Sequence, residues 1–579
     1  MARITPICNG EYRLRVVSLI ALFALVMPLA SCARLMPGLE GSAYPIEEDG
    51  SYGDYLSARM AAAEHDLPNA AKYFIAAHDK DPDNSSITML AFFYSASVGN
   101  MKEASKLAEL VTKTNPDDRA ARLELAEAAM KRDDYADARK QLTQSAKGPF
   151  TSVTVSLLDA WAAAGAGDSA AALKDIDDLQ AQHSADALAV FHRALIAEFV
   201  GQPELAEKSY VEVLGVAGPS PRIVDAFGRF LEHAGRSKDA LALYDKYKDE
   251  PAVAPILHVA RARIAAGEKP EPMLKSAAEG AGEALFGIAA SLTDANSADV
   301  SILYLRFALD LNPGLDLADI LLADRMETLG RYDDAIGVYR SIAEDSPYYS
   351  LSCIEIAVDE MRLNKTDDAI SQLKEVTDRE PANIEALTAL GDVYRGAERF
   401  AEAADAYDRA IKARGKIEQK DWPLLYARAI SEERSHHWDA AEADLKEALK
   451  LSPDEPEVLN YLGYSWVDQG KNIPEALGML EKARALRPLD GYIIDSVGWA
   501  YFRLGRYADA TKTLEDAILL VPGDPTINDH LGDAYWKVGR KLEAQFQWSH
   551  ALAFGPDAQA KSEIEKKLKV GLNGDGNRS

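Results

Sequence analysis

The chain has 579 residues, 47% of them hydrophobic, and sets 64 Lys and Arg against 92 Asp and Glu for a net charge of −28. That length allows several domains or one long repeat array. A surface this acidic excludes nucleic acid and anionic lipid headgroups as electrostatic partners and favours a basic one.

Residues 1–31 differ in character from the rest of the chain. Arg3, Arg13 and Arg15 form a positive leader, and Val16 to Leu29 is an apolar run of 14 residues, short for a membrane span. Leu29-Ala30-Ser31-Cys32 then resembles the bacterial lipobox, where cleavage precedes a cysteine whose thiol is lipid-modified. A plain signal peptide cut elsewhere is the alternative. Acyl chains on Cys32 would hold the protein to a membrane through buried CH2 groups. Ala33 follows the cysteine where an aspartate favours inner-membrane retention in enteric bacteria, so the resemblance implies the periplasmic side of the outer membrane. Without the leader, 61 basic residues face 91 acidic ones, a net −30. Residues 32–50, with Pro37, Gly38, Gly41, Pro45 and Gly50, read as a lipidated tether.

From residue 51 an alanine returns every 34 positions: Ala70, Ala104, Ala138, Ala172, Ala206 and Ala240. The ladder resumes at Ala335, Ala369 and Ala403 and continues, with small insertions, at Ala441, Ala476, Ala510 and Ala544. Twelve residues after a ladder alanine stand Pro82, Pro116, Pro347, Pro381, Pro453, Pro488, Pro522 and Pro556. Pro313 marks a further unit in which Ser301 replaces the alanine. Proline cannot continue a helix and restrains the residue before it, so each one punctuates a helix end.

The spacing within a unit predicts two packed helices. In residues 491–524, Val497, Gly498 and Tyr501 share one face, Leu504-Gly505-Arg506 reverses the chain, and Ala510, Leu514 and Ala517 share the next face. Gly498 and Ala510 allow close approach, while Tyr501 and Leu514 fill the gaps beside them. Leu531, Gly532, Tyr535, Gly539, Ala544, Trp548, Ala551 and Pro556 repeat the scheme. Period and pattern together resemble the tetratricopeptide repeat, W-x2-L-G-x2-Y…A-x3-F…P. The resemblance implies an all-α, right-handed superhelical solenoid of about fifteen units. They form an N-terminal block over 51–281 and a C-terminal block over 282–556. The unit near residue 252 is poor: it holds Pro270 and Pro272, and Leu274 replaces the alanine. It is either a hinge or a break between blocks. Residues 557–579 complete the chain with a polar capping helix to Val570 and a tail.

Catalytic signatures are missing. No Gly-rich phosphate loop, H-E-x-x-H, CxxC or G-x-S-x-G occurs, so neither an enzyme nor a cofactor is expected. His436-His437 falls in a turn beside Trp438 and reads as exposed polar residues before it reads as a metal site. Asp133-Asp134 and Asp333-Asp334 recur at equivalent turns, which points to capping chemistry. Cys353 takes a core-facing position and reads as a small apolar residue.

The tetratricopeptide resemblance implies that the first helix of each unit lines an inner groove. The positions facing it include Tyr426, Asn460, Tyr464, Tyr492, Asp495, Trp499, Phe502, Asp529, Asp533 and Trp536. Aromatics among carboxylates have the make-up of a protein-binding hot spot. For Trp499, Phe502 and Trp536, packing between neighbouring helices is the equal alternative. A narrower resemblance is carried by Val458 to Asp468, Glu475-Ala476-Leu477, Asp495 to Trp499 and Leu504 to Tyr507. These stretches resemble the C-terminal signature of bacterial outer-membrane tetratricopeptide lipoproteins, a group that includes the partner of a periplasmic carboxyl-terminal processing protease. The resemblance implies a non-catalytic adaptor that tethers such a protease and its cell-wall hydrolase substrates at the membrane. A scaffold for envelope assembly or polysaccharide export is the alternative.

Overall fold

The structure is a computed structural model and describes residues 51–181, 186–248, 250, 252–294 and 297–572. Residues 1–31 and the anchor position Cys32 lie outside the described residues. Among these residues the regular structure is thirty α-helices and one short 3-10 turn, with no strand. No helix among them is long and apolar enough to cross a membrane.

The helices alternate as the 34-residue period requires. All thirteen ladder alanines are fully buried, because a larger side chain there would separate the two helices of its unit. Ser301 is equally buried and keeps the register by donating its hydroxyl to the Ala289 carbonyl at 3.2 Å. Cys353 is buried in the helix Tyr349–Arg362. The turn between the helices ends in a left-handed residue at one fixed place in each unit. Glycine takes it at Gly505 and Gly539, but Asp133, Asn364, Glu398 and His436 adopt the same positive φ. Asp134 then caps the next helix through the Asp137 amide at 3.1 Å, whereas Asp333 and Asp334, expected at the equivalent turn, lie inside the first turn of the helix Tyr332–Tyr339 and pair with Lys365 and Arg331.

A second regularity joins each first helix to its second. Glycine eight residues into the unit lies against the large residue at position 24. Gly228 faces Tyr244, Gly391 faces Tyr407, Gly498 faces Leu514 and Gly532 faces Trp548. Where that large residue has a polar tip, the tip reaches a carboxylate on the first helix. Tyr244 donates to Glu232 at 2.9 Å, Tyr339 to Glu327 at 2.8 Å, Tyr407 to Asp392 at 2.7 Å and Trp548 to Asp533 at 2.9 Å. Burying the ring supplies the hydrophobic gain, and the bond removes the cost of an unpaired polar tip.

The chain divides into two compact units between Lys365 and Thr366. The boundary expected between residues 281 and 282 falls inside the helix Ala277–Ser291, next to the irregular unit. After the helix Ala254–Ala266, residues 267–276 form no second helix. The chain crosses instead into the helices Ala277–Ser291 and Ala298–Leu311, which pack across the first helices of earlier units. A Cβ on Gly280 would stand 2.4 Å from the Trp161 ring, and one on Gly287 2.5 Å from Leu188. Arg222 pairs with Glu283, Lys131 meets Asp310 at 2.7 Å, and Arg306 donates to the Ser97 carbonyl at 3.2 Å. One continuous apolar core therefore runs from Ala58 to Ile356. The poor repeat is the crossover that lets the N-terminal unit fill its own inner face.

Candidate protein-binding face of the C-terminal unit

The helices Pro456–Asp468, Gly491–Arg503 and Pro525–Lys537 are successive first helices of the C-terminal unit. The last two start at turns closed by a carboxylate. Asp490 accepts from the amides of Tyr492 and Ile493, and Asp524 from those of Thr526 and Ile527. These caps set where each helix begins and so which residues share its inner face.

On that face three rings form a ladder. Phe502 stacks on Trp499 with centroids 4.9 Å apart, and Trp499 stacks on His530 at 4.1 Å. Asp495 holds His530 Nδ1 through both carboxylate oxygens, at 3.0 and 3.1 Å. Burial works against a charged imidazole here. The Asp495 carboxylate, with Asp529 and Asp533 nearby, overcomes it and raises the His530 pKa. A charged His530 also gains from the Trp499 face. The aromatic edge of the ladder stays half-exposed at Trp499 and Phe502.

A second polar group closes the last unit. The terminal helix Ala558–Val570 buries Ile564 and sends Lys567 to Asp529 at 2.7 Å and to Asp533 at 2.8 Å. Burial penalises the ammonium, but its two carboxylates outweigh that and raise its pKa. Asp533 is itself pushed up by burial and by the neighbouring Asp529. Trp536 lies under Gly571 and packs on Trp548 at 5.3 Å, and Lys541 Nζ sits 3.7 Å above its ring.

The residues singled out from the sequence thus fall into distinct settings. Trp499, Phe502 and Asp495 come together around His530. Asp529, Asp533 and Trp536 come together under the terminal helix. Asp495 and Asp533 are buried in pairs and do not present free carboxylates to a partner. Tyr426 is buried edge-on to Tyr461, with centroids 5.8 Å apart. Tyr492 packs against the buried cluster of Ile494, Ala517 and Ile527. Tyr464 is half-buried, and burial together with Asp495 and Asp468 raises its hydroxyl pKa. Asn460 is half-buried, with its Oδ1 unbonded within the protein.

His530 and Lys567 were missed by sequence reasoning. His530 carried a signal, because a residue and the one 35 positions later sit side by side on adjacent first helices. Asp495 with His530, and Arg503 with the Asp468 carbonyl at 3.0 Å, both show this offset. Lys567 carried none, since the terminal helix lies outside the repeat. His437 bonds Glu432 at 2.8 Å beside the left-handed His436, and no metal-ligating group of three occurs among the described residues.

The tetratricopeptide-repeat family profile matches residues 97–151, 354–416 and 426–491, and a second profile of that repeat matches 61–122. A Pseudomonas aeruginosa protein named TPR repeat-containing protein PA4667 is 36% identical over 120 residues, 20% of each chain. The chain therefore spans only a fifth of that relative's length. Among solved structures, the Cut9 and Hcn1 hetero-tetramer of the APC/C is 16% identical with a TM-score of 0.37, over 85% of this chain and 96% of that one. Yeast Tom70 is 14% identical with a TM-score of 0.33, over 90% and 95%. Repeat period, buried alanine ladder and profile matches agree on tetratricopeptide repeats along this all-helical chain, a repeat that suggests a protein-binding scaffold.

Proposed function

We propose that this protein is a non-catalytic adaptor, anchored through Cys32 on the periplasmic face of the outer membrane. In this reading it binds a carboxyl-terminal processing protease and brings cell-wall hydrolases to it. The basis is the resemblance of residues 458–507 to the lipoprotein partners of such proteases, LbcA among them. Tethering two proteins on one scaffold raises their effective concentration and needs no reacting group on the scaffold.

The observation that carries a binding role is the Phe502–Trp499–His530 ladder, buried at His530 and half-buried at Trp499 and Phe502. Its rings are already stacked and His530 is already held by Asp495, so little side-chain entropy is lost on binding. The inner face of the N-terminal unit is occupied by its own helices, which leaves the C-terminal unit to take a partner.

Crosslinked affinity capture of the full lipidated chain from its native membrane tests the reading. A processing protease should be recovered, and Trp499→Ala should weaken its affinity about thirtyfold, the effect of losing an aromatic hot spot. Capture of the protease unchanged by Trp499→Ala would move the binding face elsewhere. Capture of synthase or export components without a protease would replace the adaptor by an envelope-assembly scaffold.

A further inference from the structure

Where the N-terminal unit closes on itself, three carboxylates meet. Glu124 and Glu127 lie on the helix Arg119–Lys131, and Asp310 on the inserted helix Ala298–Leu311. Glu124 is 0% and Glu127 1% exposed. The groups facing them are few: Ser105 from the helix Met101–Thr114 donates to Glu124 at 2.5 Å, and Lys131 pairs with Asp310 at 2.7 Å. Glu124 Oε2 and Glu127 Oε1 have no hydrogen-bond partner. Three acids and one cation therefore share a site in which both glutamates are closed to water.

We propose that this cluster is a proton-operated latch, which holds the inserted helix Ala298–Leu311 in the N-terminal unit while Glu124 and Glu127 are protonated and releases it as they ionise. Glu127 and Asp310 stand within hydrogen-bond reach of each other, and two carboxyls can bond only with a proton between them. Burial, with Asp310 adding to it, lifts Glu124 to about 7, and burial lifts Glu127 well above its ordinary range. A raised acid stabilises the folded state fully below its ordinary pKa, and that contribution is lost as pH climbs through the raised value. The latch is therefore tightest in acid, below the ordinary glutamate range, and weakens as pH rises from there toward the raised values, about 7 for Glu124. Above that range, up to three negative charges would face the Lys131 ammonium alone, in a medium that screens them poorly.

The crossover places this cluster where it can act. One turn before Asp310, the inserted helix is also held by Arg306 on the Ser97 carbonyl, a contact that does not titrate in this range. Loss of the carboxyl contacts would thus free the C-terminal end of the helix first.

Hydrogen exchange of the full chain between pH 5 and 9, corrected for the chemical exchange rate, tests the latch. Protection of residues 298–311 should fall as pH rises from about 5, by up to about tenfold per pH unit for each proton released, and the Glu124 share of the fall should end near pH 7. The helix Ile384–Gly396 serves as the internal reference. Glu124→Gln with Glu127→Gln, which mimics the protonated pair, should flatten the profile. Asp310→Asn should flatten it too and serves if the double variant fails to fold. No fall in the unaltered protein, or an equal fall in the variants, overturns the proposal.

Discussion

Gly532 and Trp548 show how single residues set the helix spacing. A Cβ at Gly532 would stand 2.5 Å from the indole, which is itself fully buried and bonded to Asp533. Gly532→Ala should therefore cost roughly 1–3 kcal/mol by overpacking. Gly478 also lies in a helix but has nothing within 4 Å of its Cβ position, so Gly478→Ala should stabilise by about 0.5–1 kcal/mol. Urea denaturation read at the C-terminal unit compares the two, and equal effects would contradict the packing account. Both the ladder alanines and the position-8 glycines were legible in the sequence, because small residues at a fixed spacing report close approach of two neighbouring helices. The partner of each buried carboxylate was legible only in part. Asp495 looked like a groove residue because its position faces inward in the repeat. The imidazole that claims it sits 35 residues on, and that offset between adjacent first helices was the one signal that pointed to it.

At the scale of the element, the terminal helix Ala558–Val570 shows what a cap contributes. Its outer face is polar, as the end of a repeat stack requires, but its inner face does more than exclude water. Lys567 neutralises Asp529 and Asp533, and the residues just beyond cover Trp536. Lys567→Ala would leave two carboxylates, one of them buried, without their cation. A loss of roughly 3 kcal/mol is expected, confined to the last unit because stability in a repeat array is transmitted between neighbours. Exchange of the amides of Pro525–Lys537 should rise by about two orders of magnitude. Unchanged protection there would show that the pair adds nothing. The helix was legible from its position and polarity. Its seat against the groove-facing residues of the last unit was not, since the repeat pattern stops where this helix begins.

At the scale of the molecule, the N-terminal unit departs from an open stack. Residues as distant in sequence as Ser97 and Arg306 touch, and Trp161 packs on Gly280. Gly280→Val would press a branched side chain into the Trp161 ring and drive the helix Ala277–Ser291 outward, together with Ala298–Leu311 packed on it. Loss of protection should then appear together in Ser85–Ser97 and Ala298–Leu311, because both belong to one continuous core. Exposure of the inserted helix alone, with Ser85–Ser97 unaffected, would show that the insertion is an accessory and not part of that core. The sequence by itself determined the helices, their pairing, their turns and the small residues between them. Those depend on contacts within about one repeat, where spacing along the chain equals proximity in space. Tertiary structure decided where the chain divides, which face remains open and which carboxylates are taken. Those depend on side chains brought together from far apart, whose complementarity of size and charge leaves no periodic trace.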